Sequence, residues 1–323
     1  MNDIGVKVAD AIRGSWVYQL LPERYWPYAQ MARWERPIGW RLLMWPCWWS
    51  LMMAVSVFLQ DGGSSEQFYM VIPFGLIIFY LVLFTLGAIL MRGAGCTYND
   101  LVDQNIDAKI SRTQSRPLPS GRITRRQAWV FLIAQSLCGF LILIQFNTFT
   151  IMLGCLSLIL VMIYPFMKRI TWWPQLFLGL AFSWGALMGW AAIFADISLS
   201  PILLYLGSIL WVIGYDTIYA LQDIEDDALI GVKSTARLFG ENAKPAVALL
   251  YSGAIILFGM SIWVAGLAWP AWLGLGLGVV HMIWQLRTLE IDNPSRCLTL
   301  FKSNSHFGWI IFAGLTVTAL IAG

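Results

Sequence analysis

Seven long segments of the chain contain no Asp, Glu, Lys or Arg, and polar residues are concentrated between them. These segments are 42–60, 67–91, 127–167, 170–195, 197–215, 245–286 and 303–323. A membrane-spanning helix needs about 20 apolar residues, so most of the segments predict one crossing each. Two are long enough for two crossings and are interrupted near the middle, at Gln145–Thr148 and Gly266–Pro270. Five single helices and two helical hairpins give nine predicted transmembrane helices.

The composition places the chain in the class of polytopic membrane proteins. Of its 323 residues, 59% are hydrophobic and only 12% are charged, and the mean hydropathy is +0.68. Soluble domains carry about 25% charged residues. We therefore expect an all-α fold, with residues 1–36 as a cytoplasmic amphipathic segment and residues 37–323 as a domain of nine transmembrane helices.

The basic residues predict the orientation of this domain. All 21 Lys and Arg lie in the N-terminal segment or in connections that nine crossings place on one side of the membrane. Basic connections stay in the cytoplasm, so we expect the N-terminus inside and the C-terminus outside. The net charge of +3 is explained by this orientation and does not indicate a nucleic-acid partner.

The N-terminal segment favours a bacterial inner membrane as the location. Residues 1–36 contain acidic residues and lack the apolar core of a signal peptide, so they resemble neither a secretory signal nor an organelle transit peptide. A processed mitochondrial form is the alternative. No obligate protein partner is predicted.

The cysteines and histidines are too few and too scattered to indicate a disulfide framework, a metal site or a histidine-based catalytic site. The five cysteines are odd in number and lack paired metal-binding spacing, so they predict buried or reduced thiols without a disulfide framework. The two histidines, His281 and His306, do not favour haem, zinc or histidine-based acid catalysis.

Tryptophan and glycine predict how the helices are anchored and packed. Most of the 18 Trp, including those of the groups Trp45, Trp48, Trp49 and Trp172, Trp173, are expected to be interfacial anchors. Gly185 and Gly189 are four residues apart, which indicates close helix packing better than it indicates nucleotide binding.

Two clusters of acidic and amide side chains follow apolar segments that run in the same direction across the membrane. The first cluster is Asn99, Asp100, Asp103 and Asp107, and the second is Asp216, Asp223, Asp226 and Asp227. Carboxylates beside membrane spans are costly and mark functional sites. A structural role at a helix C-terminus would favour Lys or Arg, because acidic groups there oppose the helix dipole.

Helical spacing places the members of each cluster on one face. Asn99, Asp103 and Asp107 are separated by four residues each, and Asp216, Tyr219 and Asp223 follow a three- and four-residue spacing. Either Asp226 or Asp227 continues the second face. Because both clusters emerge at the same membrane surface, we expect the two faces to form one anionic pocket.

Paired carboxylates of this kind suit Mg²⁺, which takes oxygen ligands and is usually shared with substrate phosphates. Basic residues follow both clusters and also lie between them: Arg112, Arg116, Lys168, Arg169, Lys233 and Arg237. Arginine and lysine bind phosphate oxygens. Together these residues predict a diphosphate site at a membrane surface. An apolar bundle behind it would accommodate a lipid-like tail and shelter a carbocation formed by metal-assisted loss of diphosphate.

The acidic segments also resemble the two signatures of a known family, the UbiA superfamily of intramembrane prenyltransferases. The first is NDLVDQNIDAKISRTQSRPLPSG (99–121), and the second is YDTIYALQDIEDDALIGVKSTA (215–236). Two further stretches are similar to the branch that prenylates 4-hydroxybenzoate: ARWERPIGWRLLMWPCWW (32–49) and YPFMKRITWWPQLFLGLAFSWGALMGWAA (164–192). The resemblance implies a nine-helix bundle around a central cavity, Mg²⁺ dependence, and transfer of a polyprenyl group from its diphosphate to 4-hydroxybenzoate in ubiquinone synthesis.

The resemblance also implies roles for individual residues. It assigns metal binding to Asn99, Asp100, Asp103, Asp107, Asp223, Asp226 and Asp227, and it makes Asp103, Asp107, Asp223 and Asp227 the catalytic carboxylates. It assigns substrate binding to Arg33, Asn99, Arg112, Arg116, Tyr164, Lys168, Arg169, Asp216, Tyr219 and Lys233. Among these, Arg169 is the candidate for the benzoate carboxylate, and Asp216 with Tyr219 for orienting the aromatic ring.

Other functions remain open at this point. Within the superfamily, the alternative acceptors are homogentisate, a naphthoate, haem or a chlorophyllide precursor. The sequence of residues 164–192 favours 4-hydroxybenzoate over these. A magnesium transporter is a less favoured alternative, because a pore needs acidic residues across the bilayer, and Asp196 is isolated between apolar segments.

Overall fold

Helices and their connections make up the part of the chain that the computed structural model describes, which is residues 14–61, 74–108, 113–229 and 231–322. For residues 61, 106 and 225–227 only the backbone is described. The α-helices, numbered in chain order, are α1 Trp16–Leu20, α2 Trp26–Met31, α3 Ile38–Asp61, α4 Phe74–Asp107, α5 Arg125–Leu143, α6 Thr148–Ile170, α7 Pro174–Ser183, α8 Gly185–Phe194, α9 Leu199–Ala220, α10 Ile224–Leu229, α11 Thr235–Phe239, α12 Ala243–Val264, α13 Trp269–Thr288 and α14 Pro294–Ala322. Tighter 3-10 turns occupy Glu23–Tyr25, Leu221–Asp223 and Gly240–Asn242.

The predicted all-α membrane fold is confirmed. Among the described residues, eight segments are long and apolar enough to span a membrane: α3, α4, α5, α6, α7 with α8, α9, α11 with α12, and α14. The remaining predicted crossing is α13, a helix of 20 residues that contains several Trp and Gly residues besides His281 and Gln285 and is therefore less apolar. Nine is thus an approximate number of crossings. The expected interruptions of the two long apolar segments fall between α5 and α6 and between α12 and α13.

Two segments break where the apolar pattern predicts continuity. Residues 170–195 form α7 and α8, separated at Trp184, instead of one helix. The second acidic segment is expected to be one helix from Asp216 to Asp227, but α9 ends at Ala220 and a 3-10 turn precedes α10. A 3-10 turn advances about 120° per residue, compared with about 100° in an α-helix. Asp223 is therefore rotated away from the predicted common face.

One compact unit contains the described residues up to 41 together with 85–145. Its α5 packs closely against α4, because Gly93 leaves no room for a Cβ beside Gln135. Gln135 in turn donates from Nε2 to Thr97 Oγ1 at 3.2 Å. A buried apolar cluster connects α2, α4, α5 and the segment before α5, and it consists of Met31, Leu101, Leu118, Ile123 and Ala128. This cluster fixes the segment before α5 against the end of α4.

The other unit contains residues 42–84 and those from 146 onward. Most of α9 is buried, and α12 approaches it at Gly207 and Gly214, where an added Cβ would collide with Phe258 and Tyr251. At Gly189 an added Cβ would collide with the backbone of α3. A Cβ at Gly185 would likewise collide with Cys47 of α3. The close helix packing that the sequence predicts at Gly185 and Gly189 is therefore confirmed.

Tryptophans in α3 differ from the expectation of interfacial anchors. Trp45 and Trp49 are completely buried, and Trp49 donates from Nε1 to Gly308 O at 2.9 Å and lies 5.1 Å from the ring of Trp211. The prediction is wrong for these two residues because they pack within the unit. Trp172, in contrast, is 40% exposed.

Candidate functional site

The first acidic motif lies at the end of α4, which continues without interruption to Asp107. Asp100, Asp103 and Asp107 are all buried, whereas Asn99 is half-buried. Spacings of three and four residues place the three carboxylates on one face of a helix. The sequence predicts the helix correctly, but its proposed face begins at Asn99, and the buried face begins one residue later at Asp100.

Asp100 is held by an arginine from the segment that follows α2. Nη2 of Arg33 lies 2.8 Å from Asp100 Oδ1, and Nη1 of Arg33 donates to the carbonyl oxygens of Gln30 and Met31. Arg33 has φ 57°, a left-handed conformation that non-glycine residues rarely adopt. Burial lowers the pKa of Arg33, but the neighbouring Asp100 carboxylate raises it, and the pKa lies above its ordinary value. Arg33 is thus a fixed cation beside Asp100.

A second arginine connects two carboxylates of the motif. Nη1 of Arg116 lies 2.8 Å from Asp107 Oδ2 and 3.5 Å from Asp100 Oδ1. The position of Arg116 depends on local bonds, since Thr113 Oγ1 donates to Asp107 O at 2.8 Å and Leu118 packs in the buried cluster. The structure therefore brings together Arg33, Asp100, Arg116 and Asp107.

The donor set of this motif fits a hard divalent cation. Asp100 Oδ2 is buried and accepts no hydrogen bond from the described residues, and Asp103 is completely buried beside it in the motif. Among the described side chains, no three Asp, Glu, His or Cys residues converge to hold a metal ion. Asp100 and Asp107 instead form ion pairs with Arg33 and Arg116. Because Mg²⁺ usually takes one or two carboxylates and completes its shell with phosphate and water, these residues fit a cation that arrives with a diphosphate.

The second acidic motif lies in the other unit, at the end of α9. Asp216 and Tyr219 are half-buried, and the ring of Tyr219 lies 4.6 Å from that of Phe301. Asp223 is half-buried at the last position of the 3-10 turn. The side chains of Asp226 and Asp227, and Arg112 of the first motif, lie outside the described part of the chain. The meeting of the two acidic faces in one pocket stays a prediction.

Two basic segments come together near this second motif. The sequence places Lys168 and Arg169 in a connection, but both lie in the last turn of α6, where cations interact favourably with the helix dipole. Lys233 N donates to Lys168 O, and Lys233 Nζ donates to Ile170 O, each at 3.0 Å. Tyr164 is half-buried one turn before Lys168 in the same helix.

Three polar residues that the sequence does not single out position the Lys233 segment. Thr217 Oγ1 and Thr235 Oγ1 lie 2.6 Å apart, and Thr235 N donates to Gln175 Oε1 at 3.0 Å. All three residues are buried. The available signal is a lone Gln in the apolar segment 170–195, a Thr directly after Asp216 and a second Thr eight residues after Asp227. Side-chain pairing between distant segments is not visible in such a pattern.

Comparison with known proteins gives a family and its fold. The model of the UbiA prenyltransferase family matches residues 43–311. A protein of Drosophila melanogaster named 4-hydroxybenzoate polyprenyltransferase, mitochondrial, is 47% identical over 298 residues, which are 91% of this chain and 72% of the relative. The Homo sapiens protein of the same name is 44% identical over 302 residues, covering 92% of this chain and 76% of the relative.

Solved structures agree with this relationship. The apo structure of a UbiA homolog from Aeropyrum pernix K1 has a TM-score of 0.65 and 28% identity, covering 84% of this chain and 97% of that one. A UbiA homolog from Archaeoglobus fulgidus, bound to GPP and Mg²⁺, has a TM-score of 0.62 and 18% identity, covering 90% of this chain and 99% of that one. The second likeness supports the fold.

Proposed function

Because this chain belongs to the UbiA prenyltransferase family and is an integral membrane enzyme, we propose that it transfers a polyprenyl group from a polyprenyl diphosphate to 4-hydroxybenzoate. The new bond joins C1 of the prenyl group to the ring carbon ortho to the hydroxyl. Two observations support this proposal. Relatives of 44–47% identity carry the name of this activity, and the first acidic motif combines buried carboxylates with arginines that form ion pairs with them.

The observation that carries the proposal is the arrangement of Arg33, Asp100, Arg116 and Asp107. Each arginine has a guanidinium nitrogen 2.8 Å from a buried carboxylate oxygen, so its planar group is oriented before a ligand arrives. A guanidinium has five N–H donors, and those not used by the carboxylate suit phosphate oxygens. Such preorganised cations stabilise negative charge as it develops in a transition state.

In the proposed reaction, the C1–O bond of the allylic diphosphate breaks and the electron pair leaves with the diphosphate. Arg33 and Arg116 bind the departing group and oppose its return to C1. Asn99, Asp100, Asp103 and Asp107 of the first motif and Asp223, Asp226 and Asp227 of the second would hold Mg²⁺. When bound, Mg²⁺ supplies positive charge that neutralises the diphosphate oxygens.

The allylic cation is then attacked by the ring carbon of the acceptor, and the ring loses a proton to restore aromaticity. We assign the proton to a carboxylate of Asp103, Asp107, Asp223 or Asp227, or to the diphosphate itself. Substrate contacts are assigned to Tyr164, Lys168, Lys233 and Arg112. Arg169 is proposed for the benzoate carboxylate, and Asp216 with Tyr219 for orienting the ring.

The proposed setting is ubiquinone synthesis, with the active residues on the cytoplasmic side of a bacterial inner membrane. The basic connections support this orientation. The named relatives are described as mitochondrial proteins, so a mitochondrial membrane is the competing location. In either case the partners are a polyprenyl diphosphate, 4-hydroxybenzoate and the membrane lipids.

The acceptor is tested by product analysis of the purified protein in detergent. The protein is incubated with geranyl diphosphate and Mg²⁺, and 4-hydroxybenzoate, homogentisate or a dihydroxynaphthoate is supplied separately. The proposal predicts a mass increase of one geranyl group on 4-hydroxybenzoate and at least about tenfold less product with the other acceptors. If the folded protein prenylates another acceptor preferentially, the assignment of 4-hydroxybenzoate is wrong, whereas the assignment to the prenyltransferase family is unaffected.

A further inference from the structure

A groove on the first unit is lined by none of the residues to which the proposed reaction assigns a role. It has a volume of about 300 Å³. Residues of α2 and of the first turns of α5 line it: Tyr28, Arg126, Gln127, Val130, Phe131 and Ala134. From this groove we infer a discrete binding site for one anionic phospholipid.

The groove follows one stripe of a membrane-spanning helix. Residues 127, 130, 131 and 134 are three, four and seven apart, so they share one face of α5. From 127 to 134 the helix rises by about 10 Å, at 1.5 Å per residue. The outward side of α5 is apolar, with Val130 62% and Leu137 59% exposed, as expected for contact with acyl chains. The groove therefore starts at the polar end of a transmembrane helix and continues along its lipid-facing part.

Its polar end is cationic. Arg126 lies in the first turn of α5 and is exposed, and among the described residues no carboxylate lies within ion-pair distance of it. The preceding residue, Arg125, donates from Nη1 to Gln104 Oε1 at 3.1 Å and does not line the groove. The N-terminal end of a helix adds partial positive charge. A negative group is thus favoured at Arg126.

Gln127 adds a fixed hydrogen-bond donor next to this charge. Its Oε1 accepts from Thr124 N at 2.9 Å and from Thr124 Oγ1 at 3.0 Å, as part of the capping box that begins α5. With Oε1 occupied, the two N–H groups of the same amide are directed elsewhere and are suited to an ester or phosphate oxygen. The donor is held by the helix cap before any ligand binds.

The deeper part of the groove is apolar and matches a hydrocarbon chain. The rings of Tyr28 and Phe131 are 5.2 Å apart in an edge-to-face contact and form one wall. Ala134 has the smallest side chain in the lining and keeps the groove open. Among the described residues no acidic side chain lines it, so a zwitterionic headgroup would place its ammonium beside Arg126 without a partner. Phosphatidylglycerol fits these features better than phosphatidylcholine.

The test is native mass spectrometry of delipidated full-length protein titrated with phosphatidylglycerol or phosphatidylcholine of identical chains. The first phosphatidylglycerol should bind at least about fivefold more tightly, because one basic residue at a membrane surface contributes about 1 kcal/mol. Arg126→Gln should remove this preference, and Ala134→Trp should block the site. Arg125→Gln, in the same turn, and Ile133→Trp, on the same helix, are the matched controls and should bind like the parent.

Several outcomes would overturn the site. These are equal binding of the two lipids, equal weakening by Arg125→Gln and Arg126→Gln, or displacement of the lipid by inorganic phosphate or geranyl diphosphate at millimolar concentration. Displacement by phosphate would indicate a simple anion site, and displacement by geranyl diphosphate would indicate a substrate site. Melting temperatures measured without lipid identify any variant that fails to fold, and Arg126→Gln, an exposed substitution, remains decisive if Ala134→Trp does not fold.

Discussion

Arg33 adopts a left-handed backbone conformation with φ 57° and places its Nη2 atom 2.8 Å from Oδ1 of the buried Asp100. A non-glycine residue in this region costs about 1–3 kcal/mol and persists when its surroundings require it. Here the side chain also donates to two carbonyl oxygens of the preceding turn. The conformation therefore fixes a cation at the carboxylate that begins the first motif.

We predict that Arg33→Ala lowers kcat/KM for prenyl transfer by about 10²-fold, because it removes a preorganised cation that binds the departing diphosphate, and losing one such electrostatic group has an effect of this size. Arg33→Gly, which relieves the backbone conformation but also removes the guanidinium, should lose as much activity. Steady-state kinetics with geranyl diphosphate measures both. Activity within twofold of the parent in either variant would contradict a role for this ion pair.

The carboxylates give a second prediction. Asp103→Asn and Asp223→Asn keep the size of the side chain but remove its charge, and each should reduce turnover by at least about 10²-fold, the effect of losing one electrostatic group in an active site. Asp196→Asn is the control, since Asp196 is exposed and its Oδ1 accepts from Trp190 Nε1. If the control loses as much activity as the motif variants, the assignment of the two motifs is wrong.

The segment that carries Lys233 gives a third prediction. In Gln175→Leu, the buried N–H of Thr235 loses its acceptor, which costs about 1–3 kcal/mol. The Lys233 segment should then loosen, so the melting temperature should fall and KM for the prenyl diphosphate should rise more than kcat changes. Thr288→Val, which removes an exposed hydroxyl within α13, is the control. A fall in melting temperature with unchanged KM would assign Gln175 a purely structural role.

Two glycines form a matched pair for the packing of the second unit. An alanine at Gly189 would collide with Cys47 O and with the Leu51 backbone, whereas no atom lies within 4 Å of a Cβ added at Gly276. Alanine stabilises an open helical position by about 0.5–1 kcal/mol, but overpacking costs about 1–3 kcal/mol. Thermal unfolding in detergent should thus show opposite shifts for Gly189→Ala and Gly276→Ala. Equal shifts would refute close packing of α3 and α8.

Much of the fold is predictable from the sequence because lipid contact imposes long apolar segments. The helix ends at Gln145–Thr148 and Gly266–Pro270 are visible as interruptions of these segments. The 3-10 turn after Ala220 cannot be predicted, since the order of polar and apolar residues there also fits a continuous α-helix. The burial of Trp45 and Trp49 is equally hidden, because aromatic residues suit both membrane interfaces and packed interiors.

The candidate site is predictable in its residue types and less so in its contacts. Asp100, Asp103, Asp107 and Arg116 are evident from charge beside apolar segments. The left-handed conformation of Arg33 has no local signal, because its sequence neighbours include no glycine or turn motif. The pairing of Thr217 with Thr235 depends on how α9 and α11 meet. Such long-range relationships are properties of packing and are not contained in helical periodicity.

The most direct test of Mg²⁺-dependent prenyl transfer is product formation by the purified protein with 4-hydroxybenzoate and geranyl diphosphate, with Mg²⁺ or with excess chelator. Our account predicts geranylated 4-hydroxybenzoate with Mg²⁺, less than about one hundredth of it with chelator, and recovery when Mg²⁺ is restored. Product that is unaffected by chelator, or no product from folded protein at saturating Mg²⁺, would contradict it.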